Sequence, residues 1–125
     1  MKKSLVLGMM ALALMSAGAR ADGDATKGQS LARQCQACHS MTDATNKVGP
    51  SLLGVYGRQA AAVEGYAYSD AMKAFGATGA KWDDANLDKY LQSPMAFIPG
   101  IRMAFAGLKK PDQRADVIAY LKTLK

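Results

Sequence analysis

The chain is poor in the side chains that most sites are built from. It has one histidine and two cysteines in 125 residues, and all three lie between positions 35 and 39. A zinc site is therefore one ligand short, because no further Cys or His exists elsewhere to complete a tetrahedral set. No stretch alternates apolar and polar residues with a period of two, so the strands of a βαβ unit are missing, and with them the context of a thioredoxin-like C-x-x-C pair. Internal repeats, low-complexity tracts and linkers are also lacking. The one long apolar run, from Leu5 to about Met15, falls short of the roughly 18 to 20 residues that span a bilayer.

That apolar run follows Met1-Lys2-Lys3 and is followed by Ser16-Ala17-Gly18-Ala19-Arg20-Ala21. Basic start, apolar middle and an A-x-A end form a secretory leader, predicted to be cleaved after Ala21, with an uncleaved anchor as the competing reading. Residues 22–125 then form one small domain, whose modest core would gain from a buried cofactor. Loss of Lys2, Lys3 and Arg20 lowers the formal net charge from +6 to +3. This mild excess suits steering toward an acidic partner and is too weak to argue for nucleic acid.

What the chain does have is concentrated in Cys35-Gln36-Ala37-Cys38-His39. C-x-x-C-H is the attachment signature of c-type haem: thiols at i and i+3 share one local surface for two covalent bonds, and the adjoining imidazole is directed at the iron. A plain disulfide would account for the cysteines but leave His39 without a role.

Local signals give an all-α chain with long loops. Asp24 caps a helix from about Ala25 to Cys35, in which Gly28 allows close approach of another backbone. Residues 40–58 are turn-rich and read as a loop over one side of the cofactor. Ser69 caps a short helix over Asp70 to Phe75, predicted to stop at Gly76, and Asp83 caps one from Asp84 to about Gln92, with Pro94 beyond its end. Ile101 to Phe105 form an irregular apolar strap. Pro111 opens a last helix whose Val117, Tyr120, Leu121 and Leu124 make an apolar stripe, for which the glycine-containing first helix is the natural partner.

An open iron position would permit ligand binding or peroxidase chemistry, whereas a filled one favours electron transfer. Of the eight methionines, Met41, Met72, Met95 and Met103 lie outside the leader. Met41 is two residues from His39, too short a tether at about 3.5 Å per residue to reach the opposite face. Met72 and Met95 lie in or beside helical segments, where core packing is the simpler role. On position, Met103 in the non-helical strap is favoured.

The ordered set of Cys35–His39, Lys47-Val48-Gly49-Pro50, Gly54-Val55-Tyr56-Gly57-Arg58, Gly65-Tyr66-Ala67-Tyr68-Ser69-Asp70, Trp82, Tyr90-Leu91, Pro99 to Gly107 and Ile118-Ala119-Tyr120-Leu121-Lys122 resembles the class I cytochromes c over essentially the whole of residues 22–125. The resemblance implies the cytochrome c fold: about four to five short helices and long loops wrapped around one covalent haem c, with the N- and C-terminal helices crossing. It implies attachment through Cys35 and Cys38, and His39 and Met103 as axial ligands. It further implies Pro50 as carbonyl acceptor for His39, Arg58, Tyr68 and Trp82 as haem-propionate partners, and Tyr90 beside the ligand sulfur. The family's activity is electron transfer without a substrate site. By the same resemblance the chain is a periplasmic monomer docking briefly on membrane redox complexes such as a bc-type complex, a terminal oxidase or a photosynthetic reaction centre. Arg33, Lys47, Arg102, Lys109 and Lys110 fall in segments that the family places around the haem edge. Two positions depart from the pattern: Ile101 stands where many relatives carry a hydroxyl residue, and Met72 where an amide is common.

Overall fold

The computed structural model describes residues 23–125, so the expected leader lies outside the described residues. Among these residues five α-helices run in the order α1 (Ala25–Leu31), α2 (Asp70–Ala77), α3 (Asp84–Gln92), α4 (Pro94–Phe97) and α5 (Pro111–Leu121), and a 3₁₀ helix over Ala32–Ala37 continues α1. Among the described residues the one β-type pairing is an isolated antiparallel bridge between Gln59 and Lys81. The fold is all-α, with loops supplying the rest.

Each principal helix begins where its cap dictates, with helices α1, α2 and α3 started by side chains that satisfy otherwise orphaned N–H groups. The Asp24 carboxylate accepts from the backbone N–H of Thr26 at 2.9 Å and of Lys27 at 3.1 Å. Ser69 Oγ accepts from Met72 N–H at 3.1 Å, and Asp83 Oδ1 from Asn86 N–H at 2.9 Å. Pro111 occupies the first turn of α5, where its missing N–H costs nothing.

Helices α1 and α5 cross with their backbones in contact. A Cβ on Gly28 would lie 1.9 Å from the Asp116 carbonyl oxygen and 3.0 Å from Tyr120 Cβ, so only glycine fits. Asp116 also accepts from the Asp24 N–H at 2.8 Å, which ties the two ends of the domain together. Val117, Tyr120 and Leu121 are buried as their spacing predicts. The main core joins α5 to α3, α4 and the strap through Leu87, Leu91, Ile98, Ile101, Leu108 and Val117. A smaller cluster of Ala32, Met41 and Tyr120 lies under the 3₁₀ turn, with Cys35 packed against it.

Three expectations change. Helix α2 runs through Gly76 to Ala77. Gly76 is present for room and not as a stop, since a Cβ there would sit 2.2 Å from the Ala60 carbonyl oxygen; the chain turns later, at Gly79 with φ of +82°. Pro94 does not merely follow α3: it opens α4 and is fully buried. Met95 on that short helix is 58% exposed, so it is not core filler, whereas Met72 is buried.

At the surface, Tyr56 O–H donates to Asp84 Oδ1 at 2.6 Å, and Lys122 Nζ lies 3.1 Å from the same oxygen and 5.0 Å above the Tyr56 ring. The three residues fasten the loop after residue 55 to the start of α3 and the end of α5.

Candidate haem site

The 3₁₀ turn delivers the motif. His39 N–H donates to the Cys35 carbonyl at 2.9 Å and Gly49 N–H to the Cys38 carbonyl at 2.8 Å, so the two cysteines and the histidine are held as one closed unit with the following loop. Both thiols are free and half-buried. Burial, reinforced by neighbouring Cys38, pushes the Cys35 thiol up.

His39 is oriented from behind. Its Nδ1 lies 2.7 Å from the Pro50 carbonyl oxygen, which can only accept, so Nδ1 carries the proton and Nε2 keeps a free electron pair. Gly49 is pressed against the ring: a Cβ there would lie 2.3 Å from Cε1. Burial lowers the imidazole pKa against the opposing pull of the Pro50 bond, and the charges of Lys47 and Arg58 lower it further. The ring is therefore neutral near pH 7, as a metal ligand must be.

Arg58, Tyr68 and Trp82 come together from three separate segments. Trp82 N–H donates to the Arg58 carbonyl at 2.9 Å and Gly57 N–H to the Trp82 carbonyl at 2.8 Å. The charge of Arg58 and the hydroxyl of Tyr68 are close enough to influence each other's ionisation. Arg58 donates through Nη1 to the Leu53 carbonyl at 3.2 Å and through Nη2 to the Ser51 carbonyl at 3.1 Å, but its buried Nε has no partner among the described residues. An orphaned cationic N–H in the interior is costly unless an anion meets it. Tyr68 O–H is fixed by accepting from Val63 N–H at 3.0 Å.

The strap that carries Met103 meets the aromatic side of the core. The Trp82 and Tyr90 rings are 4.9 Å apart, and Tyr90 O–H points at Met103 Sδ, 3.9 Å away. Burial pushes the Tyr90 phenol up to about 12, so it stays a hydrogen donor throughout the physiological range. Met103 is half-buried and packs on the main core.

Taken together, these groups fit haem c: two thiols one turn apart, an imidazole with a fixed tautomer, a thioether held by a phenol, and a half-buried guanidinium whose buried Nε–H is unmet and suits a carboxylate. Two contributors had no role in the sequence reading. Tyr66 stacks edge-on against Tyr68 at 4.8 Å and donates to the Val48 carbonyl at 2.7 Å, bracing two loops. Arg114 is 6% exposed and forms an ion pair with Asp88 at 2.7 Å. Its carboxylate partner lies 26 residues away in sequence, so no local pattern announces the pair.

A small all-α domain folded around such a C-x-x-C-H unit is a monohaem c-type protein. The comparisons agree. Residues 25–125 match the sequence model of the cytochrome c family. The chain is similar to cytochrome c2 of Rhodomicrobium vannielii (47% identical over 123 residues, 97% of this chain and 96% of the relative). It is also similar to cytochrome c of Euglena viridis (46% over 104 residues, 82% and 99%). Among solved structures it resembles cytochrome cH from Methylobacterium extorquens, with a TM-score of 0.73 at 43% identity over 81% of this chain and 99% of that one. The chain belongs to the cytochrome c family; its cofactor is covalently attached haem c, and its work is that of a haem-based electron carrier.

Proposed function

We propose that the chain is an exported periplasmic carrier with His39 and Met103 as the two axial ligands, shuttling electrons between membrane redox complexes. The observation that carries this reading is the Tyr90–Met103 contact at 3.9 Å, in which a phenol donor holds the thioether sulfur. Haem c supplies one-electron exchange between Fe(III) and Fe(II). Cys35 and Cys38 tether it, and Pro50 keeps His39 Nε2 aimed at the metal. Arg58, through its unmet Nε–H, together with Tyr68 and Trp82 would hold a propionate. With both axial positions filled from the chain, no site is left for a substrate. Among the described residues no helix is long and apolar enough to cross a membrane.

The optical spectrum of the oxidised holoprotein tests the ligand set. A low-spin spectrum with a sulfur-to-iron band is expected. Met103→Ala abolishes that band and lowers the potential by on the order of 0.1 V, since axial ligands tune haem potentials over about 0.8 V. A high-spin wild type would instead assign an open iron and a ligand-binding or peroxidase role.

A further inference from the structure

The strap that carries Met103 has little backbone support. Ile98 N–H donates to the Pro94 carbonyl at 2.9 Å and Leu108 N–H to the Leu91 carbonyl at 2.7 Å; between them, among the described residues, no backbone–backbone hydrogen bond involves residues 99–107. Met103 is therefore held from the two ends of the strap and by side chains. At the near end Arg102 Nη2 donates to the Ala67 carbonyl at 3.0 Å, in an exposed setting.

The far end is built differently. Gly107, at φ of +104°, lies so close to α3 that a Cβ would be 2.1 Å from the Gln92 carbonyl oxygen. Beneath the next two residues sits Arg114 of α5. Its Nη1 donates to the Leu108 carbonyl at 3.0 Å and the Lys109 carbonyl at 3.1 Å, while Nε donates to Asp88 Oδ1 of α3 at 2.7 Å. The Arg114 side chain is 7% exposed and that of Asp88 42%. Burying a guanidinium is unfavourable unless its donors are met, and here one planar fork meets a carboxylate and two carbonyls at fixed angles. A lysine ammonium, a point charge on a flexible stem, cannot hold all three in the same geometry.

We propose that Arg114 is a positioning residue for the axial ligand: acting through Leu108 and Lys109, it fixes the C-terminal end of the strap and so keeps the Met103 sulfur at the iron. The proposal rests on the reading of Met103 as axial ligand.

Imidazole, added to the oxidised holoprotein and followed by loss of the sulfur-to-iron band, measures how readily Met103 is displaced. One nitrogen–iron bond forms, one sulfur–iron bond breaks, and no electron moves. Arg114→Lys is expected to raise the affinity for imidazole about tenfold, the scale of one lost charge-assisted hydrogen bond. Asp88→Asn, which leaves both carbonyl bonds in place, is expected to raise it by about threefold, as loosening of a half-exposed ion pair does. Tyr56→Ala instead removes the bond to Asp84 and the ring under Lys122, and is expected to lower the urea midpoint with imidazole affinity unchanged. Wild-type affinity in Arg114→Lys overturns the proposal, as does an equal rise in Tyr56→Ala, which would mean general loosening. Should Arg114→Lys fail to fold, Asp88→Asn decides alone, and an unchanged affinity there overturns it. Failure of the ligand reading looks different: the sulfur-to-iron band is missing from the wild type or survives in Met103→Ala.

Discussion

Ile101 and Met72 occupy positions where a hydroxyl and an amide are more usual in the family, and both are buried, 8% and 9% exposed, in the main core. Apolar atoms there offer no donor to the surroundings of the cofactor, and in the proposed site its charge would be left to Arg58, Tyr68 and Trp82. Outer-shell hydrogen bonds tune a metal centre, so this loss bears on the potential. Ile101→Thr is expected to shift the midpoint by about 40 mV, the one-electron equivalent of a hydrogen bond worth about 1 kcal/mol. Cyclic voltammetry of the two holoproteins measures it; superimposable waves would exclude any part for this position in tuning. A hydroxyl that found no such bond would instead cost about 1–3 kcal/mol of stability, visible in urea titration.

At the scale of elements, the crossing of α1 and α5 depends on the missing side chain at Gly28. Gly28→Ala places a methyl group against the Asp116 carbonyl, and overpacking of this kind costs about 3 kcal/mol; a drop in the urea midpoint reads it, and an unchanged midpoint would mean that the crossing can yield. This contact was legible in the sequence because a glycine amid helix formers and a stripe without a partner point to each other. Helices α3 and α5 were legible for a similar reason: Asp83 and Pro111 mark their starts, and the apolar period runs on from them. Gly76 was misread because a glycine that ends a helix and one that makes room for the Ala60 carbonyl look alike in one dimension. Helix α4 has four residues, too few for a period, and its Pro94 is as plausible a stop as a start. The covalent motif, Met103 and the pocket residues could be read from local order and family pattern. Arg114 could not, since what defines it is a carboxylate in α3 and two carbonyls at the end of the strap.

For the molecule as a whole, the excess of positive charge is less important than how firmly some of it is held. Lys47 Nζ is bonded to the Gln36 carbonyl at 2.8 Å, Lys109 Nζ to those of Gln92 and Ala106 at 2.9 and 3.3 Å, and Arg102 to that of Ala67. Charges fixed in this way lose less side-chain freedom when a partner docks. Second-order rates with an acidic redox partner are expected to fall on the order of tenfold as salt rises past physiological strength, where the Debye length is about 8 Å; a flat stopped-flow profile would remove the steering role of these cations. The contact between the chain's two ends has a consequence in time. Asp24 and Asp116, bonded at 2.8 Å, are 92 residues apart, and chains are made from the N-terminus at about 5–20 residues per second. The helix leading into Cys35 and Cys38 thus spends most of the chain's synthesis without the surface it will pack against. Cys35, which packs against the cluster that includes Tyr120 of the last helix, has no finished core beneath it until that helix has been added.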